Sequence, residues 1–394
     1  MKLLISALLC LFCFGCSSQP DTARPVPLPV NRIIGDATAL QHFFTSLDAL
    51  KTDASKIVSI VHIGDSHIQA DYFSGTLRVL LQERFGNAGR GLIFPYRIAH
   101  TNEPVNYNSS SLSEWKGIRN VINPNRADIG VSGIAAFSRS NTSEFSISVK
   151  NQQGLNYAFN RVELFSRSCD RENTRLVSHS GSIACEEKEI PFLSVFQLKD
   201  STHAFSLRFS GISPADVHGL VLKNSQAGIL YHTIGVNGAT FKDYNNSSLF
   251  MEQLKYLKPD LIIISLGTNE SYAGTFDPED LKQQVERFVQ ELRLQNPSCS
   301  LLFTTPSDNY KLKKGKAYHN AKPAIVGTYL KTYAAHHHDA VWDLYGVMGG
   351  KHAMQQWKKQ GLSAKDYVHF TRKGYELQGN LLFNAIMNAY SGLK

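Results

Sequence analysis

Five short runs of aliphatic and β-branched residues recur along this chain, and the segments between several of them carry apolar residues at helical spacing. The runs are "KIVSIVHIG" (Lys56–Gly64), "GILYHTIGVNG" (Gly228–Gly238), "DLIIISLGTNE" (Asp260–Glu270), "SLLFTTP" (Ser300–Pro306) and "AVWDLYGVM" (Ala340–Met348). Helical periodicity marks Ala39–Thr52, Ala70–Phe85, Ser248–Lys258, Asp277–Gln295 and Thr371–Tyr390. Apolar runs of strand length alternating with amphipathic helices predict a parallel sheet covered on both faces. In such a sheet, ligands gather at the carboxyl ends of the strands. Asp277-Pro278 supplies a cap and first-turn pair for the helix it opens.

This rhythm stops near residue 104 and resumes near residue 228. Between them, "EFSISVK" (Glu144–Lys150), "RVELFS" (Arg161–Ser166), "LSVFQL" (Leu193–Leu198), "AFSLRF" (Ala204–Phe209) and "HGLVLK" (His218–Lys223) alternate apolar and polar residues. Period two with Asn, Ser and Gly turns predicts antiparallel strands. We therefore expect an α/β domain over 36–103 and 228–394, with an all-β sandwich inserted at 104–227.

The amino terminus has the layout of an export signal: Lys2, an apolar run from Leu3 to Phe14, then Gly15-Cys16 and a polar stretch. The run is too short to span a bilayer as a stable helix. Gly15-Cys16 resembles a bacterial lipobox, which implies lipidation at Cys16, a membrane anchor and a location in the periplasm or at the outer membrane. Residues 1–16 form the expected signal and 17–35, with the proline-rich "PDTARPVPLPV", the tether. In an exported chain Cys169 and Cys185 are available to pair, with their geometry open. A net charge of +8 and a pI near 9.0 favour anionic partners. The sequence shows no basic arm, helix-turn-helix or RNP signature, so nucleic acid is not expected as a partner.

Several segments invite metal or nucleotide readings. Cys10, Cys13 and Cys16 sit in the export segment, "HHHD" (His336–Asp339) is expected as a surface cluster, and the chain has no H-E-x-x-H. "GNAGRG" (Gly86–Gly91) follows a helix, not a strand, so its glycines are expected to turn the chain. No metal or cofactor is expected. Trp115 is a possible sugar platform, read as core or rim.

The chemistry concentrates in four blocks. "GDSH" places Ser66 just past a strand and at the start of a helix, where free N–H groups suit an oxyanion. "GVNGAT" offers the unobstructed N–H of Gly238, and "GTNE" the side-chain amide of Asn269. "DYVHF" puts Asp366 three residues before His369, close enough to orient an imidazole whose other nitrogen faces a serine. Asp65 and Ser66 are also ordinary helix caps. No G-x-S-x-G elbow occurs.

These blocks, in this order, resemble the SGNH (GDSL-type) hydrolases. The resemblance covers Asp36–Glu103 and Gly228–Lys394. It implies a three-layer, flavodoxin-like sheet, Ser66 as nucleophile, His369 as base oriented by Asp366, and an oxyanion hole made by Ser66, Gly238 and Asn269. His67 and Glu270 depart from the family's usual Leu and Asp. The long gap between Ser66 and Gly238 contains the β insertion. Together with the export signal, "HIGDSHIQADY", "FGNAGRG" and "GTNE", it is most similar to the peptidoglycan O-acetylesterase branch. That branch implies hydrolysis of the acetyl ester at C6 of N-acetylmuramic acid, through an acetyl-serine, and an insert resembling a carbohydrate-binding module. An O-acetyltransferase with the same triad and a non-catalytic glycan-binding lipoprotein are the alternatives.

Overall fold

The computed structural model describes residues 30–36, 38–121, 128–186 and 190–392. The expected signal, the lipidation at Cys16 and residues 17–29 of the tether lie outside the described residues, and the tether's end is not an extended linker, since Ile33–Ile34 pairs into the sheet.

Six strands form the central sheet, in the order Gly228–Gly235, Ile57–Gly64, Leu261–Ser265, Ser300–Thr304, Ala340–Trp342 and Ile33–Ile34. The first five run parallel and the short last one pairs antiparallel with Ala340–Trp342. Numbered along the chain, the parallel strands stand 2-1-3-4-5, the flavodoxin-like order expected. The direction of winding reverses between Ile57–Gly64 and Leu261–Ser265, and a crevice opens at the carboxyl end of that pair.

Alternate residues of Ile57–Gly64 face opposite layers, as strand geometry requires. Val58 and Ile60 pack with Phe43, Leu77, Leu81 and Leu382. Val61 and Ile63 pack with Phe250, Val285, Phe288 and Val326. Three layers result. Asp277 caps the Pro278–Gln295 helix by accepting from the Glu279 N–H. The run beginning at Ala340 is a strand only to Trp342, and Leu344–Met348 is helical because Asp343 caps a new turn by accepting from the Gly346 N–H.

The insertion is antiparallel, as its period-two pattern predicts. A five-stranded sheet contains Tyr107–Ser110, Thr142–Val149, Thr174–Ser178, Gly181–Ile183 and Ala204–Ser210. A four-stranded sheet contains Phe159–Phe165, Leu193–Thr202, Gly219–Lys223 and, from before the expected boundary, Gly91–Ile93. Phe145, Leu207 and Phe209 of the first share one apolar cluster with Val162, Leu164 and Phe196 of the second. A smaller three-stranded sheet completes the insertion. The same cluster continues into the α/β layer through Val61, Ile63 and Ile262.

Candidate active site

The Ile57–Gly64 strand ends at a helical turn, Ser66–Gln69. Asp65 is its cap: Oδ1 accepts from the His67 N–H at 2.9 Å. Ser66 is thereby the first helical residue, and its N–H has no carbonyl one turn earlier to bond. Its hydroxyl is not used for capping. It meets His369 Nε2 at 2.8 Å.

His369 lies in the loop before the last helix. Asp366 folds back on that loop, with Oδ1 accepting from the N–H groups of Val368 and His369 at 3.0 and 2.9 Å. Its Oδ2 lies 2.8 Å from His369 Nδ1. A carboxylate there keeps the proton on Nδ1 and leaves Nε2 to accept from Ser66. The hydrogen bond from Asp366 raises His369 above the usual histidine range, and the same bond holds Asp366 below the usual carboxylate range.

Gly238 follows the neighbouring strand. Its φ is +86°, a region that favours glycine, and nothing lies within 4 Å of where a Cβ would stand. Its N–H forms no hydrogen bond among the described residues. The turn is strapped beside Ser66: Val236 N donates to the Gly64 carbonyl at 3.3 Å, and Asn237 N to Gln69 Oε1 at 2.8 Å.

Asn269 opens off the third strand of the switch point. Its Nδ2 donates to Asp65 Oδ2 at 3.1 Å and to the Ala239 carbonyl at 2.9 Å. Both amide hydrogens are therefore engaged, not free as the motif alone suggests. Donation to an oxyanion requires exchanging one of these bonds.

Sequence reasoning missed the acidic pair beneath Asn269. Burial pushes Asp65 and Glu270 up to about 7 each. Glu270 Oε1 accepts from the Phe241 N–H at 2.8 Å, and its other oxygen is buried without a partner. The replacement of the family's usual Asp by Glu at 270 is the signal that was present.

The histidines beside the site are structural. His62 bridges Tyr231 Oη and Ser265 Oγ at 2.7 Å each, and Thr304 continues this polar chain across the sheet through a 2.8 Å bond to Ser265. His67 bonds Tyr375 Oη at 2.9 Å, with its ring centroid 5.1 Å from that of His369. Burial holds both near 3, hence neutral. Trp115 is buried and packs edge-on against Phe145 and Phe209, so it is core. Cys169 and Cys185 are both buried, and the neighbouring Cys185 together with burial raises the Cys169 thiol above its usual range. His336–His338 end a helix in the open, and no group of three or more potential ligands among the described residues is arranged to hold a metal.

Fold and site together set a serine, an imidazole and a carboxylate at the carboxyl edge of a parallel sheet. Residues 217–377 match the sequence model of the GDSL-like Lipase/Acylhydrolase family. The fold is similar to that of a solved structure described as a peptidoglycan O-acetylesterase in action. The identity is 22 %, the TM-score 0.76, and the match covers 91 % of this chain and 99 % of that one. A lipase/acylhydrolase from Enterococcus faecalis is 20 % identical over 41 % of this chain and 77 % of its own, with a TM-score of 0.32. A putative acylhydrolase from Bacteroides fragilis is 22 % identical over 42 % and 76 %, with a TM-score of 0.33. No curated protein matches the chain. The family match takes in three of the four motifs, those of Gly238, Asn269 and Asp366–His369, and stops short of the block around Ser66.

Proposed function

We propose that the protein is a serine esterase that removes O-acetyl groups from an envelope carbohydrate, namely the C6 acetyl ester of N-acetylmuramic acid in peptidoglycan. The observation that carries this reading is the relay Ser66–His369–Asp366, with both links at 2.8 Å. His369 takes the proton of Ser66 as its oxygen attacks the acetyl carbonyl. The carbonyl oxygen becomes an oxyanion received by the N–H groups of Ser66 and Gly238 and by the Asn269 amide once it releases a partner. The sugar oxygen leaves with the proton from His369. Water then attacks the acetyl-serine by the same route and restores the free hydroxyl as acetate departs.

Hydrolysis is favoured over transfer to a second sugar because the site is open. The side chains of His369 and Asp366 are 40 % and 48 % exposed, so water reaches the intermediate readily. The export signal and the Cys16 lipobox further support an enzyme anchored at the periplasmic side of the envelope, where peptidoglycan lies.

The test is acetate release from O-acetylated peptidoglycan, alongside acetylated xylan and an aryl acetate. Ser66→Ala is expected to lose about three orders of magnitude or more on each substrate that the wild type cleaves. Undiminished release by the variant removes Ser66 from the reaction. Faster acetyl transfer to an added sugar than to water makes the enzyme a transferase.

A further inference from the structure

Between the fourth and fifth helical runs lies a segment that the strand and helix patterns pass over, "NYKLKKGKAYHNAK" (Asn309–Lys322). It holds five lysines and no acid. Residues 309–313 and 316–320 pair as an antiparallel hairpin that joins no other sheet.

The hairpin's foot is fixed to both sides of the active site. On one side Tyr310 N donates to the carbonyl of Tyr367, the residue after Asp366, at 3.1 Å. On the other, Asn320 Nδ2 donates to the Ser271 carbonyl at 3.0 Å, and Lys311 Nζ to the Ala273 carbonyl at 3.1 Å. Ser271 and Ala273 belong to the short helical turn that carries Asn269.

Cross-strand partners share a face. Lys311 stands opposite Tyr318, and Lys313 opposite Lys316. One face therefore presents ammonium groups around a tyrosine ring that is 53 % exposed. The Lys311 ammonium also lies 5.3 Å from the centroid of the Tyr272 ring. The other face carries Tyr310 and His319, which pack against Tyr367 and His352 and support the catalytic loop.

This arrangement works against the hairpin's own stability. Like charges directly opposite are destabilising, as at Lys313 and Lys316. Lys314 takes φ +48° at the turn, where Asn, Asp or Gly is the ordinary choice. Lys322 reaches the same Ala273 carbonyl as Lys311. Burial and the nearby Lys322 lower Lys311 below the usual lysine range. None of the five lysines forms an ion pair among the described residues. The facing pair Lys313 and Lys316 and the backbone of Lys314 break local rules with no compensating acid among the described residues, which points to a compensating group outside the chain.

We propose that the lysine–tyrosine face of this hairpin is the docking strip for a carboxylate-bearing glycan strand. The tyrosine rings take sugar faces and the ammonium groups take carboxylates, so that an acetyl ester on the same strand enters beside Asn269. This rests on the esterase reading for the chemistry but not for the binding. The peptide stems of peptidoglycan supply such carboxylates, whereas acetylated xylan lacks those stems. A lipid surface fits less well, because Leu312 faces away from the lysine–tyrosine face and Tyr318 stands alone among ammonium groups.

The experiment uses the full-length protein and the combined variant Lys313→Gln/Lys314→Gln/Lys316→Gln. The ratio of kcat/KM on O-acetylated peptidoglycan to that on an aryl acetate is expected to fall about tenfold, through KM. The wild-type polymer rate should fall with salt more steeply than the variant's. An unchanged ratio overturns the proposal, and so does an equal loss on both substrates. Binding is read separately, by sedimentation of Ser66→Ala protein with insoluble peptidoglycan before and after its carboxylates are amidated. Retention that needs both the lysines and the carboxylates upholds the strip even if the wild type releases no acetate. Retention indifferent to either overturns it even if acetate is released. Lysine-dependent capture by anionic vesicles, with none by peptidoglycan, makes the hairpin a membrane contact and overturns it as well.

Discussion

Asp366 acts on His369 through one hydrogen bond, and that bond has a measurable signature. The proposed reaction needs His369 neutral, so activity is expected to be lost as pH falls through its pKa. Since Asp366 raises that pKa, the acid limb of kcat/KM on an aryl acetate is expected above 6.5. Asp366→Asn is expected to move the limb to lower pH and to reduce kcat/KM about a hundredfold or more. A limb that stays in place means the carboxylate does not set the imidazole's charge. Stability carries a second signature. Burial holds His62, His67 and His232 near 3, so below 6.5 the unfolded chain gains protons that the folded chain refuses, and stability falls with pH. Asp65 and Glu270 act in the opposite sense: from about 4 to 7 the folded chain keeps protons that the unfolded chain has lost, and stability falls as pH rises. Denaturant titrations should show the stability of Glu270→Gln changing more favourably from pH 5 to 7 than that of the wild type, because one opposing group is gone. An identical slope removes Glu270 from that balance. The meeting of Ser66, Asp366 and His369 was legible in the sequence because their blocks stand in a recognisable order, each at the end of an expected element. The engagement of Asn269 by Asp65 and Ala239 was not, because it depends on how two distant strand ends meet.

Among elements, the short turn Ser66–Gln69 is positioned by contact rather than by its own propensity, since four residues make too few helical bonds to persist alone. Gly235 lies against it so closely that a Cβ would stand 2.2 Å from Gln69 N and 2.6 Å from its Cα. Gly235→Ala must push that backbone away, and with it Ser66. We expect a loss of about 1–3 kcal/mol from overpacking and a fall of about a hundredfold in kcat/KM on a small ester. Calorimetry and aryl acetate kinetics check both, and a variant with wild-type values would mean the turn is placed by something else. Buried strands and long helices were legible because burial on both faces, or on one stripe, leaves a period in the sequence. The hairpin at 309–320 was not, because one side packs on the catalytic loop and the other faces solvent with lysines, so its apolar period is short and broken. Its charge was legible, as four lysines without an acid, and was overlooked for want of a long basic arm.

At the scale of the molecule, the expected boundary at residue 104 describes the chain better than it describes the core. Gly91–Ile93 pairs with Gly219–Lys223 inside the inserted sheets, and one apolar cluster runs from them into the α/β layer. The junction is closed by a buried carboxylate. Asp71 accepts from Arg78 at 2.9 Å, Arg90 at 2.7 Å and Asn106 at 2.7 Å, and Arg78 also reaches Gln152 at 3.1 Å. Both guanidinium groups are almost wholly buried, so Asp71 is the charge that makes their burial tolerable. A sequence reading sees an ordinary Asp near the start of a helix, because its partners are brought to it only by the insertion. Asp71→Asn leaves two buried cations without their anion and is expected to cost about 3–5 kcal/mol. The shared core makes a stronger demand. If the insertion and the α/β layer stand or fall together, denaturant curves followed by the fluorescence of Trp115, in the insertion, with Trp342 and Trp357 replaced by phenylalanine, and by far-ultraviolet dichroism of the helices must coincide. They must coincide in Asp71→Asn too, at lower denaturant. Separate midpoints in the wild type would make the insertion an independent domain, whereas separation only in the variant would make Asp71 the group that couples the two.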